Sequence, residues 1–337
     1  MHLHRTDRSK WRAAFLAWCA AAVNAGAVLF YGTDSATHNT TAPGGLYSGS
    51  GWQYQGHYGS YLGTMIAPQY FITAQHFGTQ GGSFVHAGVF NGAADVTYTI
   101  DTAANGGAGY WDIAGTDLRV FKVNEIFPYY APLYTGNAET GLTLVTMGRG
   151  GARGAEVFVS GLLHGWQHTA GDGTTRWGAN IASGVVDYFG ASLLTVEFNR
   201  LGLDEEATLS VGDSGGGVFV NDGGIWKLAG VNFNIDGDFD TNNTLGDGSH
   251  FSASLFDAGG LYNGSDGGGW TFVNDGLRDL PTQFYASRIS ASSTAIQSII
   301  AVPEPAGLLL AGVAAIHFMR RRREKIGKPA EVGPQAA

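Results

Sequence analysis

Two sets of short runs, each rich in β-branched and aromatic residues and bounded by Gly, Pro, Asn or Asp, constrain this chain more than any other feature. The first set includes 61–66, 70–73, 83–85, 96–100 and 118–123. The second follows a turn-rich stretch at 128–137 and includes 142–146, 156–159, 193–198, 218–220 and 226–231. Such runs favour strands, because branched and ring side chains pack on a pleated surface and the flanking residues turn the chain. No repeat of fixed period accompanies them. Two groups of about six short strands predict an all-β protein, either two antiparallel barrels or one large sandwich. Near the end, Ala295, Ile296, Ile299 and Ile300 are spaced for a short amphipathic helix over 290–300.

Charge is unevenly placed. Residues 1–27 hold Arg5, Arg8, Lys10 and Arg12 but a single acid, Asp7, and residues 303–337 hold six basic and three acidic groups. The body between keeps nine of the 19 basic residues and 24 of the 28 acidic ones, a net charge of −15. A body this acidic repels nucleic acid and anionic lipid and excludes a nucleic-acid partner. The single cysteine, Cys19, lies in the apolar run 13–23. A chain that loses this run has no disulfide.

Both ends read as targeting segments. The basic group at 5–12, the short apolar run and the small residues Ala25-Gly26-Ala27 predict a secretory signal over 1–27. At the other end Pro303-Glu304-Pro305 precedes an apolar stretch, 306–319, and the cluster Arg320-Arg321-Arg322-Arg323. An apolar helix closed by arginines stops transfer with its basic end in the cytoplasm. The full order over 303–326 resembles the PEP-CTERM sorting signal. That resemblance implies export from a Gram-negative bacterium, transient anchoring in the inner membrane by a transmembrane helix, and an exosortase-type sorting enzyme as partner. The protein would then reach the periplasm, outer surface or extracellular matrix.

The body contains one stretch suited to nucleophilic chemistry, Gly212-Asp213-Ser214-Gly215-Gly216, followed by Gly217 and the run 218–220. A serine between glycines lies where backbone can turn sharply and a carbonyl can approach closely. A serine hydroxyl needs a neighbouring base, and histidine titrates in the useful range. His164 and His168 are four apart with no acid between them, which favours packing over metal binding. His38, His57, His86 and His250 lack supporting context. His76 closes a strand–Pro turn–strand unit, 63–76, at a strand end where functional residues gather.

The string Gly63-Thr64-Met65-Ile66-Ala67-Pro68, continuing to Ile72-Thr73-Ala74-Gln75-His76, resembles the histidine segment of the chymotrypsin-like serine proteases. The GDSGG string resembles that family's nucleophile segment, and 116–123 resembles its aspartate strand. The chain order His76, Asp117, Ser214 is also that family's. The stretches 143–150, 216–233 and 284–300 are similar to further family segments. The resemblance spans about 28–300 and implies two six-stranded antiparallel β-barrels, at about 28–135 and 136–300, with a short C-terminal helix. The protease domain would cover 28–302, with an acidic Gly/Asp-rich insertion at 232–280. It implies a serine-type endopeptidase acting on peptide or protein substrates, with no required cofactor. Ser214 would be the nucleophile, His76 the base and Asp117 its orienting acid, with Asp112 in Trp111-Asp112-Ile113-Ala114 the rival for that last role. The N–H groups of Gly212 and Ser214 would form the oxyanion hole. Asp213 would pair with a new amino terminus at Val28, and Thr208 would floor the primary pocket. Two departures stand out: Gly217 replaces the family's proline, and Phe77 and Ser210 stand where cysteines are common.

Two further readings stay open. The alternation of Asp236, Asp238, Asp240, Asn242 and Asp247 fits a structural calcium loop or a solvated acidic loop; Thr241 occupies the place of the expected glycine. The same site would serve an esterase, and the same fold without chemistry would serve a binding or scaffold protein.

Overall fold

The computed structural model describes residues 28–301; the signal expected at 1–27 and the sorting motif and transmembrane segment expected at 303–326 lie outside the described residues. Among the described residues no helix is long and apolar enough to cross a membrane. The chain is mostly β with few helices.

Strand β1 (Leu29–Phe30) comes first. The next seven strands are β2 (Gln55–Tyr58), β3 (Tyr61–Ala67), β4 (Tyr70–Ala74), β5 (Ser83–His86), β6 (Val96–Thr99), β7 (Tyr110–Asp112) and β8 (Leu118–Lys122). They pair in the order β6-β5-β2-β3-β4-β8-β7. The sheet returns on itself: Asp101 N–H donates to Lys122 O at 2.9 Å and Asn124 N–H to Thr99 O at 2.9 Å. Six strands thereby make a closed wall, and β7 shares the outer edge of β8 with the end of β6. The interior is aromatic, with Tyr58, Phe71, Phe84, Tyr98, Phe121 and Phe127 in one cluster. Rings of this size fill a small barrel and dominate its burial energy.

The remaining strands are β9 (Thr143–Gly148), β10 (Arg153–Val159), β11 (Leu162–His168), β12 (Arg176–Ile181), β13 (Gly184–Tyr188), β14 (Ala191–Glu197), β15 (Ala207–Thr208), β16 (Gly217–Asp222), β17 (Ile225–Ile235), β18 (Asp238–Asp240), β19 (Phe251–Leu255), β20 (Tyr262–Ser265), β21 (Gly269–Phe272) and β22 (Gln283–Arg288). A second seven-stranded sheet runs β12-β9-β16-β17-β22-β14-β13. Only Ala182 and Ser183 separate β12 from β13, and Ser183 N–H donates to Thr195 O at 2.9 Å. The strand that begins this sheet therefore also ends it, which again gives six walls. Its core is aliphatic, built on Leu144, Leu194, Val196, Val218 and Phe284.

Two features depart from a plain pair of six-stranded barrels. A third, six-stranded sheet runs β10-β11-β19-β18-β20-β21. The stretch expected as an acidic insertion supplies four of its strands, and the hairpin β10–β11 supplies the others. It has its own small core at Val157, Phe239, Ala253, Leu255 and Leu261. Few apolar residues suffice there because Gly and Asp fill the turns and one face needs covering. The second departure is β1, which pairs with β15 in register Leu29↔Thr208. Val28 and Phe30 thus pack with Ala207, and Leu29 with Trp166, Phe198 and Phe256, rather than inside the first barrel.

A helix, Ile289–Ile300, follows β22. Its buried positions are Ile289, Ser292 and Ile296, whereas Ala295, expected on the buried stripe, is exposed. The buried stripe runs from Ile289 to Ser292 and Ile296 in steps of three and four, and Ala295, next to Ile296 in sequence, falls off that face.

Candidate active site

Strand register brings the first two site residues together. In the β4–β8 pair, Ala74 faces Leu118. One step beyond, Gln75 N–H donates to Asp117 O at 2.7 Å. His76 and Asp117 therefore leave neighbouring strand ends side by side. The His76 N–H donates to Asp117 Oδ1 at 2.8 Å, and Nδ1 lies 2.7 Å from Asp117 Oδ2. A carboxylate only accepts, so Nδ1 carries the proton and Nε2 is left as the basic nitrogen. Nε2 lies 2.9 Å from Ser214 Oγ, so the serine hydroxyl donates to it. Asp112 is elsewhere: both its oxygens take the Arg119 guanidinium, at 2.5 and 3.0 Å, across the β7–β8 pair.

The third residue arrives on a tight turn ahead of β16. Gly215 has φ +83°, and a Cβ there would sit 2.4 Å from Leu62 O of the first barrel. Only glycine permits that conformation and that approach together. Gly217, which replaces the family's proline, is equally confined. A Cβ would meet Phe219, Gln55 and Thr64 within 2.8 Å, and its N–H donates to Gln55 Oε1 at 3.2 Å. A proline would lose that bond and collide.

The N–H groups around Ser214 divide into two kinds. Those of Asp213, Gly215 and Gly216 go to Ser210 O, Asn232 O and Asp213 O. Those of Gly212 and Ser214, the expected oxyanion donors, have no acceptor among the described residues.

Asp213 is engaged by groups close to it in space. Its side chain is buried, and its oxygens accept from Gly150 N–H at 2.6 Å and from Ser210 N–H and Oγ at 2.7 and 3.2 Å. Burial pushes this carboxyl up to about 7, against those hydrogen bonds. The site found for Val28 is beside Gly178. Thr208 is not an open pocket floor. It is 2% exposed, because β1 pairs over it.

The five proposed calcium ligands do not converge. Asp236 takes Gln283 N–H and Tyr285 OH, and Asp238 takes Ser252 Oγ. Only Asp240, Asn242 and Asp247 gather, around the Ser249 hydroxyl. No group of three or more His, Cys, Asp or Glu side chains suited to a metal ion occurs among the described residues. Residues two apart on a strand share a face, yet Asp238 spends an oxygen on the Ser252 hydroxyl and Asp240 both of its oxygens on the Ser249 hydroxyl. His164 and His168 both serve packing: His164 Nδ1 bonds Asp257 O and His168 Nε2 bonds Ser254 Oγ.

Sequence reasoning passed over Tyr61 and Phe233, and marked Phe77 and Ser210 only as departures, yet all four shape the site. Tyr61 and Phe77 stack at 4.0 Å with an interplanar angle of 2°, joining β3 to the residue after His76. This ring pair holds the segment that follows the histidine. Ser210 ties the turn to Asp213 and to Gly151 O. Phe233 places its ring 6.0 Å from His76. Phe77→Ala is expected to lower stability by about 1–3 kcal/mol, from lost ring contact and partial burial. Urea unfolding measures it, and an unchanged midpoint would contradict the stapling role. A cavity of about 350 Å³ lined by Asn180, Arg200, Glu206 and Asp279 lies apart, since no triad residue lines it.

Burial also shapes the pH response. It pushes Asp213 and Glu206 up to about 7, and raises Asp236. It pushes His57 and His168 down to about 4, and lowers His86. The raised carboxyls contribute stability fully below about pH 4 and lose it as pH rises through about 7. The lowered imidazoles contribute fully above about 6.5 and lose it as pH falls through about 4. The two sets oppose, so the thermal midpoint is expected to be nearly flat between pH 4.5 and 7. His168→Gln removes one imidazole and should make the midpoint decline as pH rises over that interval. A midpoint that instead climbs with pH in this variant would contradict the assignment.

No family model matches this chain, and no curated protein matches it. Among solved structures it is similar to neuropsin, a serine protease expressed in the limbic system of mouse brain. The TM-score is 0.43 at 10% identity, over 74% of this chain and 95% of that one. The functional reading therefore rests on the geometry above.

Proposed function

We propose that this protein is a serine-type endopeptidase of the chymotrypsin-like kind, acting on peptide or protein substrates outside the cytoplasm. The observation that carries the proposal is the continuous chain Asp117 Oδ2–His76 Nδ1, His76 Nε2–Ser214 Oγ, at 2.7 and 2.9 Å. In this mechanism Ser214 Oγ attacks the scissile carbonyl carbon while its proton passes to His76 Nε2. Asp117 holds the imidazole tautomer and stabilises the imidazolium. The unengaged N–H groups of Gly212 and Ser214 receive the oxyanion. The imidazolium then gives its proton to the leaving amine as the C–N bond breaks, and an acyl ester remains on Oγ. Water repeats the sequence and releases the acid. The mechanism requires no metal ion. The rings of Phe233 and Phe77 beside His76 favour substrates with apolar side chains near the cleaved bond.

Export is proposed from the sequence of the two ends alone. The signal-like segment 1–27 and the Pro-Glu-Pro, apolar and Arg-rich order at 303–326 support passage across the inner membrane and handling by an exosortase-type enzyme.

A mixed peptide library and a panel of short esters, incubated with the wild type and with His76→Ala, test the function. The proposal expects peptide bonds cut by the wild type and both activities lost in the variant. Ester cleavage without peptide cleavage would make the protein an esterase. Neither activity would make it a binding protein on a protease fold.

A further inference from the structure

Asn232 lies in the middle of β17 and is 0% exposed. A polar side chain there must find partners for every hydrogen-bonding group, and Asn232 does. Its Oδ1 accepts from Thr146 Oγ1 at 2.9 Å. Its Nδ2 donates to Met147 O at 2.8 Å and to Asp213 O at 3.1 Å. Its backbone N–H donates to Gly216 O at 2.9 Å, and its carbonyl accepts from Gly215 N–H at 3.0 Å. Two carbonyls face the NH₂ and a hydroxyl faces the oxygen, so a single orientation of the amide satisfies all of them. One residue thus grips the nucleophile turn on both sides of Ser214 and fastens it to β9.

The bond to Asp213 O has a directional consequence. Asp213 C=O and Ser214 N–H belong to one planar trans peptide unit, in which the two groups point in opposite directions. Drawing the carbonyl toward Asn232 turns the Ser214 N–H away from the protein interior. That N–H has no acceptor among the described residues. Gly216 N–H also reaches Asp213 O, at a longer 3.3 Å. It comes from the same turn, so it can move with the peptide, whereas Asn232 is fixed by β9 and β17.

We infer that Asn232 is a positioning residue for the oxyanion hole: its amide holds the Asp213–Ser214 peptide in the orientation that presents the Ser214 N–H to the transition state. The inference rests on the hydrolase reading above. It goes further by assigning the task to a residue that touches neither substrate nor triad side chain.

Steady-state kinetics on wild type, Asn232→Ala and Thr146→Val, with a peptide aldehyde as a tetrahedral mimic, test it. Losing one aimed oxyanion donor costs about 100- to 1,000-fold in kcat. Asn232→Ala should show that loss with KM within about twofold, and aldehyde affinity should fall by a similar factor. The pH midpoint of the rate should stay put, because His76 and Asp117 are untouched. Thr146→Val removes only the hydroxyl that orients the amide and should cost about tenfold in kcat. It decides the matter if the alanine variant does not fold. A folded Asn232→Ala with wild-type kcat, or a wild-type Thr146→Val where alanine fails, would overturn the inference while leaving the hydrolase reading intact. A loss in KM alone would overturn it as well. An inert wild-type protein would overturn both.

Discussion

Ser214→Ala is expected to lower peptide turnover by about six orders of magnitude, with the thermal midpoint moved by no more than a few degrees. The large effect follows from the chemistry, since alanine has no atom to attack the carbonyl and no proton for His76 to take. The small structural effect follows from the surroundings. The turn is held by backbone bonds from Gly215 and Gly216 and by Asn232, none of which uses the Ser214 hydroxyl. Progress curves and thermal melts on the same sample measure both quantities. A variant with more than about a hundredth of wild-type turnover would remove Ser214 from the role of nucleophile.

Asp117→Asn is expected to cost about 10,000-fold in turnover. The amide keeps the shape, but its NH₂ can no longer accept from Nδ1. The imidazole then turns over its tautomer and presents a proton, rather than a lone pair, to Ser214. Asp112→Asn supplies the contrast. It weakens a pair with Arg119 whose carboxylate partner is more than a third exposed, and turnover should stay within about threefold. Equal losses in the two variants would mean that the acid assignment is wrong. Side-by-side rates at one pH are enough to separate them.

The sequence order of three short motifs was sufficient to point to His76, Asp117 and Ser214, because each sits at the end of a strand whose length and ring content mark it. The choice between Asp117 and Asp112 needed the register. Arg119 lies directly across from Asp112 on β7–β8, and β7 itself is three residues long and partly exposed. Strand β2, Gln55–Tyr58, reads as polar in sequence, yet it is nearly all buried, since Gln55 spends its amide on Thr64 and Gly217. Polar residues that pair across barrels carry no hydrophobic period, so nothing in a window of sequence marks them.

The roles expected of Asp213 and Thr208 came from resemblance, and the contacts both residues make in the folded chain were not legible. Gly150 and Ser210 take the carboxylate, and two residues of β1 cover Thr208. The bond from Gly150 to Asp213 spans 63 positions and the pairing of Leu29 with Thr208 joins the first strand to the fifteenth, whereas the bond from Ser210 spans three. The third sheet was hidden for a related reason. Its strands are short and Gly- or Asp-rich, and they gain stability from pairing β19 with β11, some 90 residues earlier in the chain. By contrast, Phe77 beside the histidine and Ser210 ahead of the nucleophile were legible as departures from the pattern the sequence resembles. Phe77 is held by a ring stack on Tyr61 and Ser210 by hydrogen bonds to Asp213.

The central claim is that Ser214 is chemically activated by His76 in the folded protein. A fluorophosphonate probe followed by peptide mapping tests it most directly. The geometry predicts a single phosphonyl group on Ser214, formed by the wild type and absent in His76→Ala. No adduct on the folded wild type, or one on another residue, would contradict it.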